Sequence, residues 1–379
     1  MERSSSTTER RQSMELVVQN REESGYPLSF TRVDAQEGTI PLIWTPLMNQ
    51  EDGFRSYPGD YGKQRRPSLV IPVKNGNYHV KVALGDKERE GRTSIKAGAG
   101  SIMLQQIRTK AGEITEREFI VRVEQQELRL AFLGDVPQVQ SLQIKPIHCP
   151  TIFLAGDSTV CDQCSGHYPY TGWGQALPLF LTAGAVSNHA KSGRSSKSFI
   201  QEGRLERLES LLGKGDLLLI QFGHNDQKND ERGTAPFADY LTYLAEYVAT
   251  ANNKGATPVL MTPVHRRAFT ESRWLEDTHG DYVRAVVGLS QMLGVACIDL
   301  AEKSKQLFEA LGPEGTKPLF MWTDPNEYPQ YPEGTEDNTH FHVKGAIEIA
   351  RLVYEGITEQ EGLRQTFGQA NKTLKEEQR

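Results

Sequence analysis

The chain has 379 residues, 43 Lys+Arg against 49 Asp+Glu for a formal net charge of −6, and 37% hydrophobic and 24% charged residues. This length excludes a single small module and accommodates two domains, while the acidic balance lacks the basic excess that phosphate-backbone binding needs, so no nucleic-acid partner is expected. No segment reaches the ~18–20 uninterrupted apolar residues of a membrane span, no apolar core of a secretory signal follows the polar start, and four cysteines are too few for a disulfide scaffold; a cytoplasmic protein with no membrane partner is expected.

Residues 1–13 are polar and are expected to form a flexible arm. From 14 to 148 the apolar runs are short and often alternate with polar residues, as in Tyr78-His79-Val80-Lys81-Val82 and Phe119-Ile120-Val121-Arg122-Val123. Asn75-Gly76-Asn77 and Leu133-Gly134-Asp135 are among the turn signals between them. Period-two runs at this spacing predict an all-β sandwich, jelly-roll-like, with one face of each strand in a core. The rhythm changes at Ile147 to Pro150, taken as the domain boundary.

From 149 to 370 the pattern is strand, loop, helix. Thr151 to Ala155, Asp216 to Ile220, Ala256 to Met261 and Gly294 to Leu300 read as fully buried parallel strands. Phe237, Leu241, Leu244 and Val248 fall on one stripe of a helix between them, and Val343 to Glu355 has helical periodicity. Alternating strands and helices predict an α/β domain with a doubly wound parallel sheet, whose ligand site lies at the carboxyl ends of the strands. The charged residues 371–379 are expected to fray.

Chemistry is therefore sought just after each strand. Gly156-Asp157-Ser158-Thr159 places a hydroxyl where a strand turns, and nearby amides there can receive an oxyanion; taken alone, Ser158 reads first as a helix cap. Gly193, after another short strand, lacks a side chain and can bring its backbone N–H close to a ligand. In Gly223-His224-Asn225-Asp226, Asn225 offers an amide donor that is neutral at every pH. In Asp337-Asn338-Thr339-His340-Phe341-His342, a carboxylate three residues before an imidazole at the start of a helix can hold one ring nitrogen and leave the other to take a serine proton. His342 is a rival base, and the spacing to Asp337 favours His340. Cys161-Asp162-Gln163-Cys164 has redox or zinc spacing, but no second pair completes a metal site. His224 reads as a structural hydrogen-bonding residue. Lys191 and Arg194 could meet an acidic sugar, although solvated surface charge is the default.

Taken together, Gly156-Asp157-Ser158, Gly193, Gly223-His224-Asn225-Asp226 and Asp337-x-x-His340 resemble the four signature blocks of the GDSL/SGNH hydrolases, over about Thr151 to Glu359. With Tyr170 to Gln175, Ser192 to Ser196 and Asp337 to Ala346 they are similar to the rhamnogalacturonan acetylesterase branch, which removes acetyl esters from pectin. The resemblance implies a flavodoxin-like hydrolase fold, Ser158 as nucleophile, His340 as general base and Asp337 as its orienting acid. It implies an oxyanion hole of the Ser158 amide, the Gly193 amide and the Asn225 side chain, and no cofactor or metal. The expected partner is an acetylated plant cell-wall oligosaccharide or polysaccharide. Segment Asn75 to Asp86 resembles the β-sandwich of some bacterial members, similar to carbohydrate-binding modules. Two other readings stand beside this one: a GDSL esterase for another acyl ester, such as acetylated xylan, a lipid or a thioester, and a non-catalytic carbohydrate-binding protein on the hydrolase fold.

Overall fold

The computed structural model describes residues 68–134, 137–163 and 165–367, together with the backbone of three earlier strands. The arm expected at 1–13, the tail expected at 371–379 and Cys164 lie outside the described residues.

The first ten strands are β1 (Met14–Asn20), β2 (Ser29–Arg32), β3 (Ile43–Thr45), β4 (Ser68–Pro72), β5 (Gly76–Gly85), β6 (Gly91–Ala97), β7 (Ser101–Thr109), β8 (Ile114–Val123), β9 (Glu127–Leu133) and β10 (Val139–Ile147). They form two five-stranded antiparallel sheets in the orders β2-β1-β10-β5-β8 and β3-β4-β9-β6-β7. The alternation in the sequence is the reason. Tyr78, Val80, Val82 and Leu84 of β5 turn inward and meet Ile95, Leu104, Leu128 and Leu130 of the other sheet in one apolar cluster, while His79 and Lys81 stay at the outer face.

The second half begins with β11 (Thr151–Gly156), followed by α1 (Trp173–Ala176), β12 (Ala185–Asn188), α2 (Ser196–Gln201), α3 (Arg204–Leu211), β13 (Leu217–Gln221) and α4 (Asp239–Asn253). Then come β14 (Thr257–Met261), α5 (Asp281–Leu293), β15 (Ala296–Ile298), α6 (Leu300–Thr316), β16 (Phe320–Thr323), β17 (Thr335–Phe341), α7 (Val343–Glu359) and α8 (Glu361–Phe367). Five strands pair in parallel in the order β12-β11-β13-β14-β15, the flavodoxin-like arrangement. Successive residues of the central strands feed opposite layers. Ile152, Leu154, Leu217 and Leu219 join the cluster containing α7, and Phe153, Ala155, Leu218 and Ile220 join the cluster containing α4 and α5. A strand buried on both faces needs no polar alternation, which is why these runs are continuously apolar.

Two expectations are corrected. Phe237 lies before α4 and is 58% exposed, so the helix buries Tyr240, Leu244, Tyr247 and Val248 instead. β15 is shorter than expected and sits at the sheet edge, with Ala296 and Cys297 half-buried, because only β14 flanks it. The two halves touch through specific groups: Ile102 of β7 is part of the α7-side core, and the Asn77 amide donates to the Cys149 carbonyl and to Thr151 Oγ1 at 2.9 and 3.1 Å. Among the described residues no helix is long and apolar enough to cross a membrane.

Candidate active site

The loops after β12, β11 and β13 lie side by side because their strands are neighbours, so Gly193, Ser158 and Asn225 leave the same edge of the sheet. Ser158 sits in a turn closed by the Val160 and Cys161 amides donating to the Asp157 carbonyl, and it is 6% exposed. The fully buried Asp157 shapes this turn, its Oδ1 accepting from the Thr159 amide and hydroxyl at 2.9 and 2.8 Å. Burial pushes the Asp157 carboxyl up, but His224 and the two Thr159 bonds outweigh that and hold it below the usual range.

Ser158 Oγ is 3.0 Å from His340 Nε2, and His340 Nδ1 is 2.6 Å from Asp337 Oδ2. The sequence places Asp337 and His340 at the start of a helix; the structure puts them on β17, and α7 begins only after His342, which is its N-cap. Along the β16–β17 ladder Phe320 pairs with Phe341, yet Met321 pairs with Asp337, so Asn338, Thr339 and His340 are looped out of register. Asp337 Oδ1 accepts from the Thr339 and His340 amides at 2.7 and 3.0 Å, which pins the loop and turns its other oxygen to the imidazole. Burial raises the Asp337 carboxyl, but the bond and charge of His340 with these two amides bring it below its ordinary range, so it is an anion at neutral pH.

Gly193 has φ +81°, a left-handed conformation suited to glycine, in the loop whose Lys191 amide donates to the Gly156 carbonyl at 2.9 Å. Asn225 is 4% exposed and donates one N–H to the Arg194 carbonyl at 3.0 Å; a primary amide has a second N–H to offer. Asp226 ties these loops together, accepting from the Ser196 amide and hydroxyl at 3.1 and 2.5 Å. The expected site residues Ser158, Gly193, Asn225, Asp337 and His340 thus come to one end of the sheet.

His342 is directed elsewhere. Its Nδ1 accepts from the Lys344 amide, its Nε2 is 3.1 Å from the Tyr328 hydroxyl, and burial, then Lys344, lowers its pKa to about 4. Cys161 is buried, burial pushes its thiol up, and Gln163 donates to its sulfur. Arg194 is engaged with Glu202 and the Ser192 carbonyl. His224 is buried 3.3 Å from Asp157 and edge-on to His279, with burial lowering its pKa. Among the described residues no group of three or more His, Cys, Asp or Glu side chains is spaced to hold a metal ion.

Reading residues one by one misses the support of the serine turn. The Tyr170 ring lies 4.7 Å from the His340 ring, and its hydroxyl donates to the Ser158 carbonyl. That carbonyl also accepts from Gln163 Nε2 at 2.8 Å; Gln175 Oε1 accepts from the Gln163 amide, and Gln175 Nε2 donates to the Gly100 carbonyl at the turn before β7. Tyr170 and Gln175 belong to the Tyr170-to-Gln175 block, whose resemblance to the acetylesterase branch is the sequence signal that marks them.

Residues 154–346 match the GDSL-like lipase/acylhydrolase family. The chain belongs to this family. Among its relatives, this acylhydrolase-family chain is 50% identical over 216 residues to rhamnogalacturonan acetylesterase RhgT of Bacillus subtilis, covering 57% of this chain and 91% of RhgT. It is 26% identical over 228 residues to the rhamnogalacturonan acetylesterase of Emericella nidulans, covering 55% of this chain and 84% of that protein. The crystal structure of YxiM from Bacillus subtilis is similar with a TM-score of 0.51 and 27% identity, over 78% of this chain and 80% of that one. That span is longer than the parallel-sheet half, so the similarity extends into the N-terminal half.

Proposed function

We propose that this chain is a serine acetylesterase that removes acetyl groups from pectin-derived glycans of the rhamnogalacturonan type. The observation that carries the reading is the unbroken line from Ser158 Oγ through His340 to the Asp337 carboxylate, at 3.0 and 2.6 Å. The names of RhgT and its fungal counterpart support the substrate class.

Ser158 Oγ attacks the acetyl carbonyl while His340 Nε2 takes its proton, and Asp337 holds Nδ1 protonated and stabilises the imidazolium that forms. The amides of Ser158 and Gly193 and the second N–H of Asn225 receive the oxyanion; losing one such donor typically costs ~10²–10³ in rate. Collapse expels the sugar oxygen, which takes the proton from His340. Water, deprotonated by the same imidazole, then releases acetate from the acyl-serine.

Acetate release from acetylated rhamnogalacturonan, acetylated xylan and a small acetate ester tests the reading. The expected order places rhamnogalacturonan first. Preference for xylan would move the substrate class, and binding without any turnover would overturn the esterase in favour of a glycan-binding protein.

A further inference from the structure

A cleft of about 440 Å³ lies where the antiparallel sheets meet the loop after β12, and neither the catalytic line nor the oxyanion donors use it. Its volume is within the roughly 300–1,000 Å³ of small-molecule sites. Five cations line it: Arg122 and Arg129 from β8 and β9, Lys191 from the loop that carries Gly193, and Arg204 and Arg207 from α3. The whole chain has a net charge of −6, so this concentration of positive charge is local.

The carboxylates of the cleft are already engaged. Glu124 accepts from Ser187 Oγ at 2.6 Å and stands 3.4 Å from His189. Glu127 is paired with Arg129, and Asp162 accepts from the Asn188 amide at 2.8 Å and from Ser101. Among the described residues Lys191 and Arg207 enter no ion pair, and both are exposed. The Nε of Arg122 is buried with no hydrogen-bond partner, 3.5 Å from Glu124. Arg204 Nε donates to Glu202 Oε2 at 2.6 Å, so of the two α3 cations it is Arg207 that is left to the cleft.

Resting on the acetylesterase reading above, we propose that this cleft binds carboxylates of uronate residues in the glycan, so that the antiparallel half contributes to substrate binding. Guanidinium groups match a carboxylate with paired N–H donors, and an ammonium adds a point charge. Lys191 connects the cleft to the site, its amide bonded to the Gly156 carbonyl two residues before Ser158. A chain seated there by its acid groups would run toward the oxyanion side of the serine.

Calorimetric titration with unacetylated oligogalacturonate, which offers carboxylates but no ester, tests this without turnover. The wild-type protein is expected to bind it, more weakly as salt rises, and to ignore a neutral galactan oligomer. Arg207→Glu and Lys191→Gln are each expected to weaken binding about three- to tenfold, with Arg207→Lys restoring most of the loss and thermal unfolding confirming that each variant is folded. Equal binding by the charge variants, equal binding of the neutral oligomer, or equally tight binding of a polyphosphate of the same charge would overturn the proposal. Wild-type turnover of a small acetate ester, measured in parallel, separates the two readings. Turnover without oligogalacturonate binding removes the cleft assignment alone, and binding without turnover removes the esterase alone.

Discussion

Asp337 and His340 meet across 2.6 Å because three residues, Asn338, Thr339 and His340, leave the register of the β16–β17 ladder and the same carboxylate that faces the imidazole ties down two of their amides. One side chain therefore both builds the loop and orients the ring. Asp337→Asn keeps an acceptor for the loop amides but offers the ring no anion. It is expected to lower kcat by several orders of magnitude with little change in thermal unfolding, whereas Asp337→Ala should lose both. Steady-state kinetics with a melting curve for each variant checks this, and equal melting of the two would remove the loop-building role.

Ser158→Ala is expected to abolish ester turnover and leave the fold intact, since among the described residues the hydroxyl is bonded to His340 alone and Ser158 is anchored through its backbone carbonyl. Acetate release at the wild-type rate from the folded variant would defeat the mechanism.

His340→Ala and His342→Ala should part company. The first removes the base and is expected to cost orders of magnitude in kcat/KM. The second removes the cap of α7 and its Tyr328 contact, so the expected loss is about 1 kcal/mol of stability with most activity retained. A reversed ranking of activities would transfer the base to His342.

The serine turn is held at a distance by Gln163 and Gln175. Gln163→Ala is expected to lower kcat about ten- to hundredfold with KM little changed, because it misplaces the nucleophile rather than a binding surface. Gly100→Ala should act in the same direction from the other half of the chain. Its φ is +138°, and a Cβ there would stand 2.9 Å from Gln175 Nε2. A change confined to KM in both variants would refute the positioning role.

Asp226 gives a prediction in pH. Burial raises its pKa from 3.8 to about 7, opposed by its bonds from Ser196. The folded state then holds a proton that the unfolded chain releases near pH ~4, so this group's contribution is fully favourable below that pH and declines as pH rises through about 7. Asp226→Asn keeps a neutral acceptor for Ser196. Its stability relative to wild type is expected to climb between pH ~4 and 7 and then level, by at most about 4 kcal/mol. Denaturant unfolding at several pH values measures the difference, and a pH-independent difference would contradict a buried, protonated Asp226.

The sequence alone determined the layers and the chemistry. Period-two runs such as Tyr78 to Val82 can bury only one face, and runs such as Leu217 to Ile220 are soluble only if both faces are covered, so an antiparallel half and a parallel, helix-flanked half follow from hydrophobic pattern. Polar residues just after those runs marked Ser158, Gly193 and Asn225. Tertiary structure decided what depends on partners far along the chain. Phe237 fits a helical stripe yet stays 58% exposed, and Asp337 with His340 has helical spacing, but pairing of Asp337 with Met321 and of Phe341 with Phe320 draws the segment into a strand. The bond from Gln175 back to Gly100 and the cations gathered from β8, β9 and α3 carry no local signal. Such contacts join residues scores of positions apart, and periodicity reports only which face of an element is buried, never what is buried against it.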